Sequence, residues 1–401
     1  MSKKVIVIGG GPAGYAAAIK ASQLGAEVTL AEDAGIGGTC LNVGCIPTKS
    51  LLHTAGFYQL ASLNAVAGVN ITGAHLDWPA ALAKKNETVG RLSRGVGALL
   101  RHNGVTVLSE KAVPLSGNKV MAGGETLAAD AVILATGSKN APLEFPGAGL
   151  PGVIDSTDAL SLERLPASVV IVGGGVIGVE FATLFSSLGV KTSVIEIAAR
   201  LLPLMDPEIS GYARDSLESC GVSVHTGARL TGAQAAQGGL AVAFSDDTGP
   251  QSITADNLLV AVGRTPNTSG LGLEDIGVKL VRGAVQTDEY YRTDVPSLYA
   301  VGDCNGSTML AHAAMAQGET AAGHIMGAAP EINNKTVPAC IFTQPEIAAV
   351  GMTGDQAAES GTDHTVGRFD LSGTAKPVSK VTADLSRSLP ANDSAIYWES
   401  T

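Results

Sequence analysis

The chain has 401 residues, of which 45% are hydrophobic and 4% aromatic, and a formal net charge of −11. That length accommodates two or three domains, and the acidic balance, with no long basic run, excludes nucleic acid and anionic membrane surfaces as natural partners. No stretch reaches the ~20 apolar residues of a membrane span; no signal-peptide core follows Met1, and five cysteines, an odd number, fit a reducing compartment, so a cytoplasmic location is expected.

Val5-Ile6-Val7-Ile8 reads as a buried strand that runs into Gly9-Gly10-Gly11-Pro12-Ala13-Gly14 and then into a helix over residues 15–24. Gly9, Gly11 and Gly14 stand at GxGxxG spacing in the strand–turn–helix context the motif requires. The three glycines serve a tight turn, close approach of a pyrophosphate and close helix–strand packing, and the helix N-terminus offers unpaired N–H groups to phosphate. A second strand over residues 27–31 ends at Glu32, whose carboxylate suits a ribose diol.

Next comes Gly37-Gly38-Thr39-Cys40-Leu41-Asn42-Val43-Gly44-Cys45-Ile46-Pro47-Thr48-Lys49. On a regular helix, residues five apart have Cα atoms roughly 8.7 Å from each other, beyond the roughly 7 Å limit for a disulfide. If Cys40 and Cys45 bond, the backbone between them is irregular, and Gly44 supplies the freedom. A bridge of that kind in a small loop is more readily exchanged than used to staple a fold; the alternative is two unrelated buried thiols.

The first pattern then recurs. A strand over residues 169–172 leads to Gly173-Gly174-Gly175-Val176-Ile177-Gly178, a helix over 179–188 and a strand over 191–195 that ends at Glu196. Gly9 to Glu32 and Gly173 to Glu196 span the same 23 positions, so two dinucleotide-binding domains are expected. Apolar strands over 131–135 and 258–262 close the two copies, and a third over 298–301 is expected to rejoin the first domain after the second has been inserted. The resulting layout is a first domain of residues 1–139 and 264–336, a second of 140–263, and a remainder of 337–401.

GGTCLNVGCIPTK, residues 37–49, resembles the redox segment of the class I pyridine nucleotide–disulfide oxidoreductases, and among them that of the dihydrolipoamide dehydrogenases; the likeness runs over residues 4–353. The resemblance implies an α/β fold of two nested Rossmann-like domains, FAD in the outer and NAD in the inner, plus the start of an incomplete α+β interface domain. It implies that Cys40 exchanges with substrate while Cys45 faces the flavin, and that Lys49 and Glu180 form an ion pair beside the flavin. FAD is expected to meet Gly9, Gly11, Gly14, Glu32, Gly38 and Thr39, with Ala112 and Thr136-Gly137-Ser138 on the adenine side and Asp303 at the ribityl–pyrophosphate region. Met309-Leu310-Ala311-His312 is expected to aim a helix N-terminus at the pyrimidine carbonyl, where a positive dipole end favours a reduced anionic flavin; His312 reads as a packing residue at that helix start. NAD is expected at Gly173, Gly175, Gly178, Glu196, Leu230 and Gly263. Glu196 favours the free ribose diol of NAD over the 2′-phosphate of NADP, although Arg200, four residues on, is a complication. Cys220, Cys304 and Cys340 read as ordinary buried thiols, and no spacing suggests a metal.

Residues 337–353, VPACIFTQPEIAAVGMT, resemble the start of the family's interface domain, which in relatives forms a homodimer and carries a His-Pro motif with a glutamate partner. The histidines here, at 53, 75, 102, 225, 312, 324 and 364, lie in no such motif, and from Leu371 the chain no longer reads like the family. A shifted frame or an early end is one account of it, and the dimer surface and acid–base group are then incomplete. The expected function is an oxidoreductase moving electrons between dihydrolipoamide, free or on a lipoyl domain, and NAD. The alternatives are another disulfide reductase of the family, acting on glutathione or mercuric ion, and an impaired flavoprotein with dye-reducing activity alone. Mercuric reductases bear a C-terminal cysteine pair, and no cysteine follows Cys340.

Overall fold

The computed structural model describes residues 2–63, 69–328, 336–370 and 394–395. The chain divides into two compact units, one of Met1–Pro47, Lys85–Ala141 and Arg264–Val337, the other of Thr48–Lys84, Pro142–Gly263 and Pro338–Thr401.

In the first unit β1 (Lys4–Ile8) is the centre of a five-stranded sheet. It pairs in parallel with β2 (Glu27–Ala31) on one side and with Ala131–Leu134 on the other. Thr106–Leu108 extends the sheet beyond β2, and Leu298–Ala300 extends it beyond Ala131–Leu134. The last pairing is the expected return of the chain to its first sheet. Val5, Val7, Leu30, Ile133 and Leu134 are all fully buried, the continuous apolar run of a parallel sheet covered on both faces. One cover is α1 (Pro12–Gln23), whose alanines Ala13, Ala17, Ala18 and Ala21 are buried. Their small size lets the helix Ala311–Met326 approach so closely that a methyl at Gly318 would run into the Ala13 carbonyl.

The second unit repeats the plan. Its parallel sheet runs in the order Ser223–Thr226, Lys191–Glu196, Ser168–Val172, Asn257–Val260, Val153–Ile154. The helix Val176–Ser187 is buried at Val179, Phe181, Ala182, Leu184 and Phe185. Each unit also carries a three-stranded antiparallel sheet, within residues 112–128 in the first and 229–255 in the second.

Both glycine-motif helices start earlier than the sequence suggests, at Pro12 and Val176. Gly11 and Gly175 are the N-caps, with extended backbone, so the third glycine of each motif falls inside the first helical turn. Glu196 likewise belongs to its strand, because the backbone there still pairs with Thr226.

Beyond the second crossover, Ala339–Ile341 pairs antiparallel with Ile347–Ala349, and a short helix Gly354–Glu359 follows. Thr353 caps that helix by accepting from the Gln356 amide. Phe369–Asp370 pairs with Ser394–Ala395. The rest of the stretch from Leu371 lies outside the described residues. No helix among the described residues is long and apolar enough to cross a membrane.

Candidate redox and dinucleotide sites

The redox segment forms two helices, α2 (Gly38–Val43) and α3 (Cys45–Ser62), broken at Gly44. A Cβ at Gly44 would sit 2.9 Å from the Thr39 carbonyl oxygen, so only glycine lets the two helices meet this closely. The break brings the Cα atoms of Cys40 and Cys45 to 4.6 Å and the two residues form a disulfide. Both cysteines are half-buried. Gly38, at φ +57°, lies against the first nucleotide turn: a Cβ there would be 2.6 Å from the Gly11 Cα. The Asn42 amide donates to the Gly35 and Ile36 carbonyls, each at 3.3 Å, and ties the segment to the loop that precedes it.

The turn itself is a cradle that side chains would fill. Gly9 has φ +107°, and its missing methyl would overlap the Ala135 carbonyl; the missing methyl of Gly14 would overlap the carbonyl of Gly9. Neither a side-chain cap nor an acid occupies the first turn of α1, which leaves its N–H groups open to an anion. Glu32 stands beside them, one oxygen accepting from the Gly10 amide at 2.6 Å and the other from the Ala34 amide at 2.7 Å. A carboxylate has acceptor capacity beyond two bonds.

Around this turn, the Thr136 hydroxyl is buried with no hydrogen-bond partner among the described residues. Ala112 opens the strand Ala112–Ser116 and is buried. Gly137 has φ +70°. The Ser138 hydroxyl donates to Asp303 at 2.5 Å and accepts from Arg264 Nε at 2.7 Å. Arg264 also donates to the Ser138 carbonyl and to Asn140 Oδ1, both at 2.7 Å. The Met309–His312 stretch does open a helix, with Leu310 as N-cap and no side-chain cap. His312 itself is exposed, because the buried face of that helix is taken by Ala313, Ala314, Gln317 and Gly318. A cradle of glycines and two uncapped helix N-termini fit a bound dinucleotide.

The second unit reproduces the cradle. Gly173 has φ +109° and abuts the Ala261 carbonyl, and Gly178 abuts the carbonyl of Gly173. Glu196 is buried, with one oxygen 2.5 Å from the Gly174 amide and the other 2.6 Å from the Ala198 amide. Gly175 has open space where a side chain would begin, and so has Gly263, at φ +118°; Leu230 is half-buried in the antiparallel sheet. Arg200 is drawn aside: it pairs with Asp355 at 3.2 Å and donates to the Pro203 carbonyl at 3.4 Å. These residues fit a nucleotide with a free ribose diol.

Also in the second unit, Lys49 Nζ lies 2.8 and 2.7 Å from the two oxygens of Glu180. The Glu180 side chain is 5% exposed and that of Lys49 31%, so the carboxylate is buried while the ammonium keeps one side open. A buried carboxylate demands partners, and a third comes from the Phe342 amide at 3.1 Å. The Phe342 ring covers the ammonium at 4.6 Å. Lys49 is the fifth residue of α3 and Cys45 its first. Sequence reasoning missed Phe342 and the Arg264–Ser138–Asp303 chain. The available signal was Arg264 directly after Gly263; for Phe342, whose contact runs partly through its backbone, there was none.

The remaining cysteines differ from expectation. Cys304 alone is buried, and burial pushes its thiol up to about 11, so it is no thiolate at neutral pH. Cys220 is half-buried at the end of a helix, and Cys340 is exposed because it sits on a two-stranded hairpin with one open face.

The pyridine nucleotide-disulphide oxidoreductase family model matches residues 3–318, and the model of that family's dimerisation domain matches residues 337–386, so the likeness extends past Thr353 and past Leu371, where the sequence reading ended it. Dihydrolipoyl dehydrogenase of Bacillus subtilis is 41% identical over 386 residues, 94% of this chain and 83% of the relative. Dihydrolipoyl dehydrogenase of Pseudomonas aeruginosa is 38% identical over 94% of this chain and 82% of its own. Among solved structures, the HOCl-induced flavoprotein disulfide reductase RclA of Escherichia coli superposes with a TM-score of 0.82 at 29% identity, covering 94% of this chain and 84% of that one.

Proposed function

The chain belongs to the pyridine nucleotide-disulphide oxidoreductase family, and on that premise we propose that it is a dihydrolipoyl dehydrogenase with FAD and NAD as cofactors, Cys40–Cys45 as its exchangeable disulfide and a homodimer as its working form. The observation that carries the reading is that disulfide, formed across Gly44 and set by Gly38 against the first nucleotide turn.

Bound FAD would supply two-electron exchange with both a dithiol and a nicotinamide. Gly9, Gly11, Gly14, Glu32, Gly38, Thr39, Ala112, the 136–138 turn, Asp303 and the 309–312 stretch would hold it; Gly173, Gly175, Gly178, Glu196, Leu230 and Gly263 would hold NAD. The chain's own chemistry is thiol–disulfide exchange. A dihydrolipoamide thiolate attacks Cys40 Sγ, the Cys40–Cys45 bond breaks, and Cys45 leaves as thiolate. The second substrate thiol gives its proton to solvent water, its thiolate attacks the substrate sulfur of the mixed disulfide, the bond to Cys40 breaks, and lipoamide leaves with Cys40 and Cys45 both reduced. Cys45 suits the leaving role because it is the first residue of the 18-residue α3, where the positive end of the helix dipole favours a thiolate. The role of the Lys49–Glu180 pair would be to hold a positive charge at the flavin.

The dimerisation-domain match over residues 337–386 supports the homodimer. The likeness to a flavoprotein disulfide reductase supports a second reading, reduction of a different disulfide. Purified chain assayed with NADH against lipoamide, glutathione disulfide and a dye separates the two. Lipoamide turnover that depends on Cys40, with dye reduction retained in Cys40→Ser, is expected; faster turnover of glutathione disulfide than of lipoamide would favour the second reading.

A further inference from the structure

The Lys49–Glu180 pair has a third member. Lys49 carries three N–H donors, and the two short contacts to Glu180 occupy one side of the ammonium. The side chain is still 31% exposed, so the pair alone does not fix where the charge sits: a lysine on a flexible four-carbon stem keeps several rotamers open. The Phe342 ring closes that freedom, with its centroid 4.6 Å from Nζ, inside the range in which the negative face of an aromatic ring attracts a cation. The same residue's amide fixes Glu180 Oε1 at 3.1 Å. Phe342 therefore touches both charges, one through its backbone and one through its ring.

Its placement is built, not incidental. Phe342 directly follows the strand Ala339–Ile341, and that strand is held by its partner Ile347–Ala349. Ile341 is buried in the same core cluster as Leu51, Ala55 and Phe181, which flank Lys49 and Glu180 on their helices. Phe342 is 38% exposed, more than a residue needed for core packing alone would be. The segment that supplies it lies within the stretch matched by the dimerisation-domain model.

We propose that Phe342 is a positioning residue for the redox chemistry: its amide orients Glu180, its ring holds the Lys49 ammonium in place, and the dimerisation segment is thereby a working part of the redox centre. The proposal rests on the reading of Lys49–Glu180 as the charge that tunes the bound flavin. Loosening the ammonium lowers the time-averaged positive charge at its place, which disfavours the reduced anionic flavin.

The test uses the full chain with Phe342→Leu, which keeps apolar bulk and the backbone amide but removes the ring face, and Phe342→Tyr, which keeps the ring. The first readout needs no cofactor: with lysine Cε labelled and Lys49→Arg identifying the signal, the Lys49 Hε resonance of the parent is expected upfield of ordinary lysine by ring current, unchanged in Phe342→Tyr and returned to the ordinary position in Phe342→Leu. The second is the flavin's reduced-to-oxidised ratio at a fixed redox poise, expected to fall about fivefold in Phe342→Leu, as for losing a cation–π contact of about 1 kcal/mol, and to be restored in Phe342→Tyr. A parent Lys49 resonance at the ordinary position overturns the proposal, even if Phe342→Leu fails to fold. So does an upfield signal lost in Phe342→Leu with a flavin ratio within twofold of the parent. Failure of the parent to bind FAD would sink the functional reading instead, leaving the proton shift to decide whether the ring holds Lys49.

Discussion

Glu196 accepts a hydrogen bond from the Gly174 amide at 2.5 Å, so the acid that ends one strand and the glycine turn that follows its neighbour form one unit. Glu32 and Gly10 stand in the same relationship at 2.6 Å in the other copy. In each case the second oxygen takes an amide two residues on, Ala198 and Ala34. The carboxylates are thus held in place by backbone amides, and preorganised acceptors cost little to use.

Cofactor choice follows from this. The chain should bind NADH more tightly than NADPH by at least tenfold, because a 2′-phosphate would face a fixed, buried carboxylate. Glu196→Gln should narrow that ratio by weakening NADH, at a cost of about 1.5–3 kcal/mol for a hydrogen bond to a charged group. Titration of both nucleotides by fluorescence checks it, and tighter binding of NADPH by the parent would contradict the reading of Glu196.

The two glycine cradles should be separable. Gly14→Ala and Gly178→Ala each place a methyl against the carbonyl of the turn's first glycine. The first should abolish FAD retention during purification. The second should leave flavin bound and weaken NADH by an order of magnitude or more. Flavin content per chain and NADH affinity measure the two effects independently, and equal effects of both variants on flavin content would show the assignment of cofactors to turns to be wrong.

Gly44 should be irreplaceable for the disulfide. Alanine there puts Cβ 2.9 Å from the Thr39 oxygen, a clash of the kind that costs about 1–3 kcal/mol. The helices should part and the bond form incompletely. Thiol titration under denaturing conditions should count three free cysteines in the oxidised parent and more in Gly44→Ala; an unchanged count would mean that the joint tolerates a side chain.

How far the sequence could be read depended on whether a feature lives in local residue types or in a meeting of distant ones. The strand–glycine–helix units at Gly9 and Gly173 were legible, because tight turns and apolar runs are local. So was the need for a broken backbone between Cys40 and Cys45. The return of Leu298–Ala300 to the first sheet was legible because a closing strand without its own glycine motif starts no third domain and must return to a sheet already begun. The helix starts at Pro12 and Val176 were misjudged by a turn, since extended N-cap backbone at Gly11 and Gly175 looks like part of the loop. Phe342 was invisible: an amide reaching Glu180 across 162 positions leaves no mark in residue type. Cys340, expected to be buried, is exposed, because residue type and spacing say nothing about an open hairpin face.

Cys304 predicts a pH effect of definite sign. Burial raises its thiol from 9.0 to about 11 in the folded chain, so the folded state favours the protonated form. Its contribution to stability is whole below pH 9 and is lost as pH rises toward 11. The unfolding free energy of the parent relative to Cys304→Ala should therefore fall by about 1 kcal/mol between pH 8 and pH 10. Denaturant titrations of both chains at the two values check this, and a difference that stays constant would place the thiol outside a dry interior.

The central claim, that Cys40–Cys45 exchanges electrons with a flavin held by the same chain, is tested most directly by anaerobic reductive titration of the flavin-loaded protein. A disulfide and a flavin each take two electrons, so the parent should consume about four per chain, with a long-wavelength band from a Cys45 thiolate beside oxidised flavin at the midpoint. Cys45→Ser should consume about two and show no band. A parent that is fully reduced by about two electrons, or a band that persists in Cys45→Ser, would contradict the account.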